Sequence, residues 1–205
     1  MAATFFLLRE IEVASARVEH ITMQPDDTSV TWLLPTSKTD CRAVGISRTW
    51  ECTCRIADFN GACPVHAIRR QLNRASALAE RLSLVINDMP LFHAADGSEI
   101  TRQAAVGTIF ELATRTGEQI LDGAGGYRYG GHSFRTGGAH MLARRGVNPY
   151  RIQSLGRWRS PLVIHYAGEA LSAGLAREIA ATHGMSESQP HDAAELRSLV
   201  ARLEA

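Results

Sequence analysis

The stretch GHSFRTGGAH, Gly131 to His140, sets His132 and Arg135 three residues apart, directly after the glycine- and tyrosine-rich run GAGGYRYGG. At the mouth of a helix, positions i and i+3 share a face. They would present an imidazole that can take or give a proton beside a guanidinium that can grip two oxygens of an anion. The surrounding charge fits that use. Between Tyr127 and Ala170 stand seven arginines (Arg128, Arg135, Arg144, Arg145, Arg151, Arg157 and Arg159) against one acid, Glu169. A surface of that sign selects anions, and nucleic acid is the commonest large one. On charge alone, a solvated basic helix face is the competing reading. Two further segments follow, LGRW (Leu155–Trp158) and VIHY (Val163–Tyr166). Upstream, LLREIE carries Arg9 and Glu12, and Lys38 is the single lysine among 22 basic residues.

Along the chain these residues read Arg9, Lys38, His132-x-x-Arg135, Trp158, Tyr166. That order resembles the catalytic domain of the tyrosine recombinases, the phage integrase family, over about residues 3 to 180. The resemblance implies an α+β, mostly helical fold with a small antiparallel sheet near the N-terminus. It also implies strand cleavage and rejoining in double-stranded DNA, as in site-specific recombination or mobile-element integration, through a 3′-phosphotyrosyl intermediate. Each residue type suits that chemistry. Arg9 and Arg135 would bind the non-bridging phosphate oxygens and stabilise the charge that develops there. His132 would donate a hydrogen bond or take the tyrosine proton. Trp158 would add an indole N–H. Tyr166 would be the nucleophile. Lys38 would protonate the leaving 5′-oxygen, which an arginine cannot do because it does not give up its proton. Glu12 would support the site by holding an arginine or the hairpin. The remaining arginines (Arg128, Arg144, Arg145, Arg151, Arg157 and Arg159) would contact DNA.

No cofactor is expected for the reaction itself. The expected partners are double-stranded DNA and further copies of the chain assembled on it, with no membrane. The expected location is intracellular, nuclear in a eukaryote and cytoplasmic in a bacterium. The chain departs from the family pattern in three ways. GRW stands where many members have GH. The Trp158–Tyr166 gap is a residue short and contains Pro161. Arg9 also lies only eight residues from Met1, so the separate N-terminal helical domain that usually completes a clamp around DNA is expected to be absent. Two rival readings keep the fold: a DNA-binding remnant without turnover, and a type IB topoisomerase-like enzyme that rejoins its own strand. Tyr150 is an alternative nucleophile, set aside because it precedes LGRW.

A second constellation is Cys52, Cys54, Cys63 and His66, spaced C-x-C-x8-C-x2-H within residues 52–66. Three thiolates and an imidazole can complete a tetrahedral zinc site. With all four positions filled by protein, such a site would be structural and would suit an insertion with little core of its own. It would leave no open position for a zinc hydrolase. Reduced cysteines beside an unrelated histidine are the alternative.

The elements that must position these groups can be read from periodicity and breakers. A chain of 205 residues with 45% hydrophobic residues can bury a real core. Ala3 to Ile21 has helical spacing. VTWLLP and CRAVGIS read as two strands joined by TSKTD, which carries Lys38 at a hairpin tip and places Cys41 in a strand. TWECTCRIADFNGACPVH reads as an irregular loop. Helices are expected from Pro64 to about Val85, from Thr101 to about Leu121, at Phe134–Arg145, Pro149–Leu155 and Pro161–Glu169, and from Leu171 to about Thr182. The expected organisation is one domain over 1–184, followed by a linker and a short amphipathic helix over 185–205.

Overall fold

A computed structural model describes residues 1–35, 45–56, 59, 61–158, 163–164 and 168. The expectations for Lys38, Cys41, Arg159, Pro161, Tyr166, the helix from Leu171 and the C-terminal helix fall outside these residues. Two short helices, α1 (Ala2–Phe5) and α2 (Glu10–Ala14), lead into the strands β1 (Ile21–Met23), β2 (Ser29–Leu34) and β3 (Ile46–Glu51). Four longer helices follow: α3 (Pro64–Leu82), α4 (Arg102–Arg115), α5 (Ser133–Arg144) and α6 (Pro149–Gly156). The strands form one antiparallel sheet in the order β1-β2-β3. Its register pairs Ile21 with Trp32 and Trp32 with Arg48. The result is the mostly helical α+β architecture expected.

The main core lies where α1, α3 and the sheet meet. Phe5, Phe6, Leu8, Trp32, Val65 and Ile68 are fully or almost fully buried there. Phe5 packs edge-on against Trp50 at 5.3 Å between ring centroids, and Phe6 against Trp32 at 5.2 Å. A second, smaller cluster joins Leu7 to Ala139, Leu142, Ala143, Ile152 and Val163. Consecutive residues of the FFLL run thus serve two cores.

The helix expected over Ala3–Ile21 is broken instead. Leu7 adopts φ +51°, in the left-handed region, and the chain restarts as α2 with Arg9 as its N-cap. Alternating burial in two directions cannot be met by one straight helix, and the tertiary gain overrides the propensity. Ile21 belongs to β1, and β3 begins at Ile46 and continues through TWE, which had read as loop. Thr49 and Trp50 pair with Thr31 and Val30, and the two threonine hydroxyls lie 2.8 Å apart. Two helices stop early on left-handed residues. Ser83 (φ +56°) caps α3, and Gly117 (φ +75°) follows the end of α4. No helix among the described residues is long and apolar enough to cross a membrane.

Candidate functional site

The break at Leu7 gives the site its backbone. With α2 starting at Arg9, the Glu12 carboxylate reaches back and accepts the Arg9 backbone N–H at 2.8 Å, as a capping residue does. It also accepts the Arg9 guanidinium at 3.1 Å. The buried Leu7 carbonyl accepts Arg135 Nε at 2.9 Å, and Arg135 Nη2 reaches Glu12 Oε2 at 3.2 Å. The glycine pair ahead of His132 makes a second seam, because Gly131 accepts the Glu10 backbone N–H at 3.1 Å. A Cβ on Gly131 would lie 2.4 Å from the Glu10 carboxyl carbon, so a side chain there would have to displace the Glu10 carboxylate. Gly138, one turn beyond Arg135 on α5, makes a tighter approach, where a Cβ would stand 2.1 Å from the Thr4 carbonyl oxygen and only glycine fits. The first and second arginine segments are therefore fastened together at three levels.

Helix α6 delivers the next pair. Asn148 caps it by accepting the Tyr150 N–H at 2.9 Å, and Arg157 ends it in the left-handed region at φ +55°. That turn carries Arg157 onto Glu12, which it contacts through Nη2. Trp158 lies under Arg135, with the guanidinium carbon 5.7 Å from the ring centroid. The indole lies flat against Gly156, where a Cβ would come within 2.4 Å of the ring.

Of the candidate catalytic residues, Arg9 and Arg135 meet on Glu12, and Trp158 lies against Arg135. His132 is the exposed N-cap residue of α5, three residues before Arg135. Lys38 and Tyr166 lie outside the described residues. Among the candidate DNA contacts, Arg128, Arg144 and Arg151 are exposed. Arg145 is turned inward, with its guanidinium 4.3 Å from the centroid of the Phe59 ring and Nη1 donating to the Met141 carbonyl. Arg157 belongs to the Glu12 cluster and not to the open face, because the end of α6 folds back. Tyr150 is 79% exposed on the first turn of α6.

One member of the cluster went unread in the sequence. Arg48 is 4% exposed on β3, donates Nη1 to the Phe6 carbonyl, and has no hydrogen-bond acceptor for Nε or Nη2 among the described residues. Its signal was the alternation of ISRTWE. Arg48 and Trp50 fall on one face, and a strand assignment would have put a charge inside.

Electrostatically the cluster is overloaded with positive charge. Arg9, Arg48, Arg135 and Arg157 meet two carboxylates, Glu12 and Glu10. Burial, and then the neighbouring charge of Arg157, push the Arg48 guanidinium down to about 9 despite Glu12. Burial pushes Arg135 to about 10, with Glu12 opposing and Arg9 and Arg157 adding to the shift. Burial alone would raise the Glu12 carboxyl. The Arg9 backbone N–H, the Arg9 guanidinium, and the charges of Arg157 and Arg135 outweigh it and hold Glu12 below its ordinary value. An arrangement that lowers its own arginines is one that an incoming anion relieves.

The cysteine group lies at the far end of β3. Cys52 extends the sheet through its N–H to Thr28 O at 2.8 Å, and Cys63 is the N-cap of α3. His66 occupies the third position of that helix, where a side chain faces its cap. The ligand atoms of Cys52, Cys54, Cys63 and His66 all lie within 4.8 Å of one another.

No family model matches the chain, and neither does any curated protein. Solved structures do. XerH site-specific recombinase, in a post-cleavage complex with palindromic difH substrate, matches at a TM-score of 0.60 and 16% identity, over 87% of this chain and 43% of that one. XerA recombinase matches at 0.57 and 15%, over 89% and 56%. XerH in a pre-cleavage complex with difH matches at 0.57 and 14%, over 81% and 40%. This chain therefore spans between two-fifths and three-fifths of the length of those proteins. The fold it shares with them is the tyrosine recombinase fold.

Proposed function

We propose that this chain is the catalytic half of a DNA strand transferase of the tyrosine recombinase kind. It binds double-stranded DNA and exchanges strands without a cofactor, as in site-specific recombination or mobile-element integration. The observation that carries the reading is the convergence of Arg9 and Arg135 on Glu12, from segments about 125 residues apart, with Trp158 beneath Arg135 and positive charge in excess. A phosphodiester bears one negative charge, and the attack adds more to its oxygens. Prepositioned guanidiniums lower that barrier because they need no reorganisation at the moment of reaction. Glu12 is the positioning residue. It fixes the planes of Arg9, Arg135 and Arg157 while leaving the group net positive.

In the proposed reaction the Tyr166 hydroxyl gives its proton to His132 and attacks phosphorus. A phosphotyrosyl bond forms at the 3′ end as the bond to the 5′-oxygen breaks, and Lys38 protonates that oxygen. The reverse sequence, with a 5′-hydroxyl from a second strand, rejoins the DNA. Because the phosphotyrosyl bond keeps the energy of the bond it replaced, no external energy source is needed. Exposed Arg128, Arg144 and Arg151 would add phosphate contacts, which dominate DNA affinity. Copies of the chain would pair on paired sites.

The test is a covalent-adduct assay. The protein is incubated with a pool of nicked duplexes and denatured in detergent, and attached DNA is measured beside a Tyr166→Phe variant. An adduct in wild type alone supports the reading. DNA binding without any adduct in either protein refutes the enzymatic reading and favours a binding remnant.

A further inference from the structure

The cysteine cluster has no part in that chemistry, and its geometry assigns it another role. We propose that Cys52, Cys54, Cys63 and His66 hold one zinc ion in a closed structural site that fastens the end of β3 to the start of α3. A tetrahedral zinc ion with Zn–S bonds of about 2.3 Å separates two sulfurs by about 3.8 Å, and a sulfur from a nitrogen by about 3.5 Å. The Sγ atoms of Cys52 and Cys63 are 3.7 Å apart. His66 Nδ1 lies 3.0 Å from Cys54 Sγ and 4.0 Å from Cys52 Sγ, which brackets the second value. One imidazole nitrogen thus faces the sulfurs, as a zinc ligand must.

The backbone supports the arrangement independently of any ion. Thr53 Oγ1 donates to the Ala62 carbonyl at 2.7 Å and draws the two ends of the loop together. Cys63 and His66 stand at the cap and third positions of α3, which brings their side chains to one point. The Cys-x-Cys pair turns back at the strand end, with Cys54 exposed and Cys63 buried. Three thiolates and an imidazole select a soft, tetrahedral ion, and four protein ligands leave no position for a substrate. Three thiolates with a divalent ion would carry one net negative charge, and the surface cavity beside them is lined by Asp26, Asp27 and Glu51 together with Arg55. Asp27 is paired with Arg69. The site is a clasp that holds the strand carrying Arg48.

The full chain, purified without chelator and dialysed, should carry one equivalent of zinc. Cobalt(II) in its place should give the intense visible bands of tetrahedral thiolate ligation. Cys54→Ser, at an exposed position, should lower zinc retention while leaving the helical circular dichroism intact. Four results would each overturn the proposal. These are zinc absent from folded wild type, a weak octahedral cobalt spectrum, undiminished zinc in a Cys54→Ser/His66→Ala double variant, and an intact mass lower by the two hydrogens of a Cys52–Cys63 disulfide. None of these readouts depends on strand cleavage, so the clasp and the proposed reaction stand or fall separately.

Discussion

Replacing Glu12 by glutamine tests the site's electrostatic design most directly. Glutamine keeps the size of the side chain and can still accept the Arg9 backbone N–H, so the cap of α2 survives. What disappears is the charge that three guanidiniums share. At an effective dielectric of about 20, each contact near 3.1–3.2 Å carries roughly 5 kcal/mol of gross attraction. Desolvation of the 7%-exposed carboxylate offsets much of this. Removing one partner from a buried ion pair typically costs about 3–5 kcal/mol, because the other partner is left charged and unmatched. For a domain of this size that is a fall in Tm of about 6–20 °C. The assay is thermal unfolding of wild type and Glu12→Gln across a sulfate titration, with chloride at matched ionic strength. The variant should start lower and gain more from sulfate than wild type does, because a bound anion replaces the missing charge. A Tm within about 2 °C of wild type, or equal sulfate gains in both proteins, would refute the reasoning.

Three other expectations follow from the same geometry. Glu12 ionises below its ordinary value of 4.5, so its contribution to stability is complete above that pH and is lost as pH falls through the lower folded value. A pH series of urea midpoints should show a steep acid limb in wild type and a flatter one in Glu12→Gln. Arg48→Met removes a buried charge with unmatched donors, and should be neutral or stabilising by about 1–3 kcal/mol while weakening DNA binding in a salt-dependent filter assay. Gly138→Ala drives a methyl into the Thr4 carbonyl. It should cost about 1–3 kcal/mol in chemical unfolding and lower adduct formation by moving Arg135.

The legible parts of the protein were those with local causes. Pro64 at the first position of α3, the Asn148-Pro149 start of α6 and the His132-x-x-Arg135 spacing each depend on neighbours within a few residues, and the sequence states those directly. The cysteine and histidine spacing was legible for the same reason. What stayed hidden depends on distant partners. Leu7 in the left-handed region has no glycine or asparagine to announce it, because burial against α5 and α6 imposes the turn. Arg48 fell between the strand reading, which stopped at Ser47, and the loop reading, which began at Thr49, because TWE carries too few apolar positions to read as a strand until Val30 and Thr31 are there to pair with it. Arg157 read as surface charge because its partner, Glu12, lies 145 residues away.

The Leu7 turn also bears on how the protein is made. Every fully described buried member of the Leu7 cluster comes from residue 139 or later, and the Leu7 carbonyl waits for Arg135. At synthesis rates of about 5–20 residues per second, some 7–30 seconds separate the emergence of Leu7 from that of Ile152. During that interval the FFLL run has half of its burial site missing. Nascent chains would therefore expose a short, strongly apolar segment that is an obvious ligand for a holding chaperone. Stalling translation between α4 and α5 should capture the chain in that bound state.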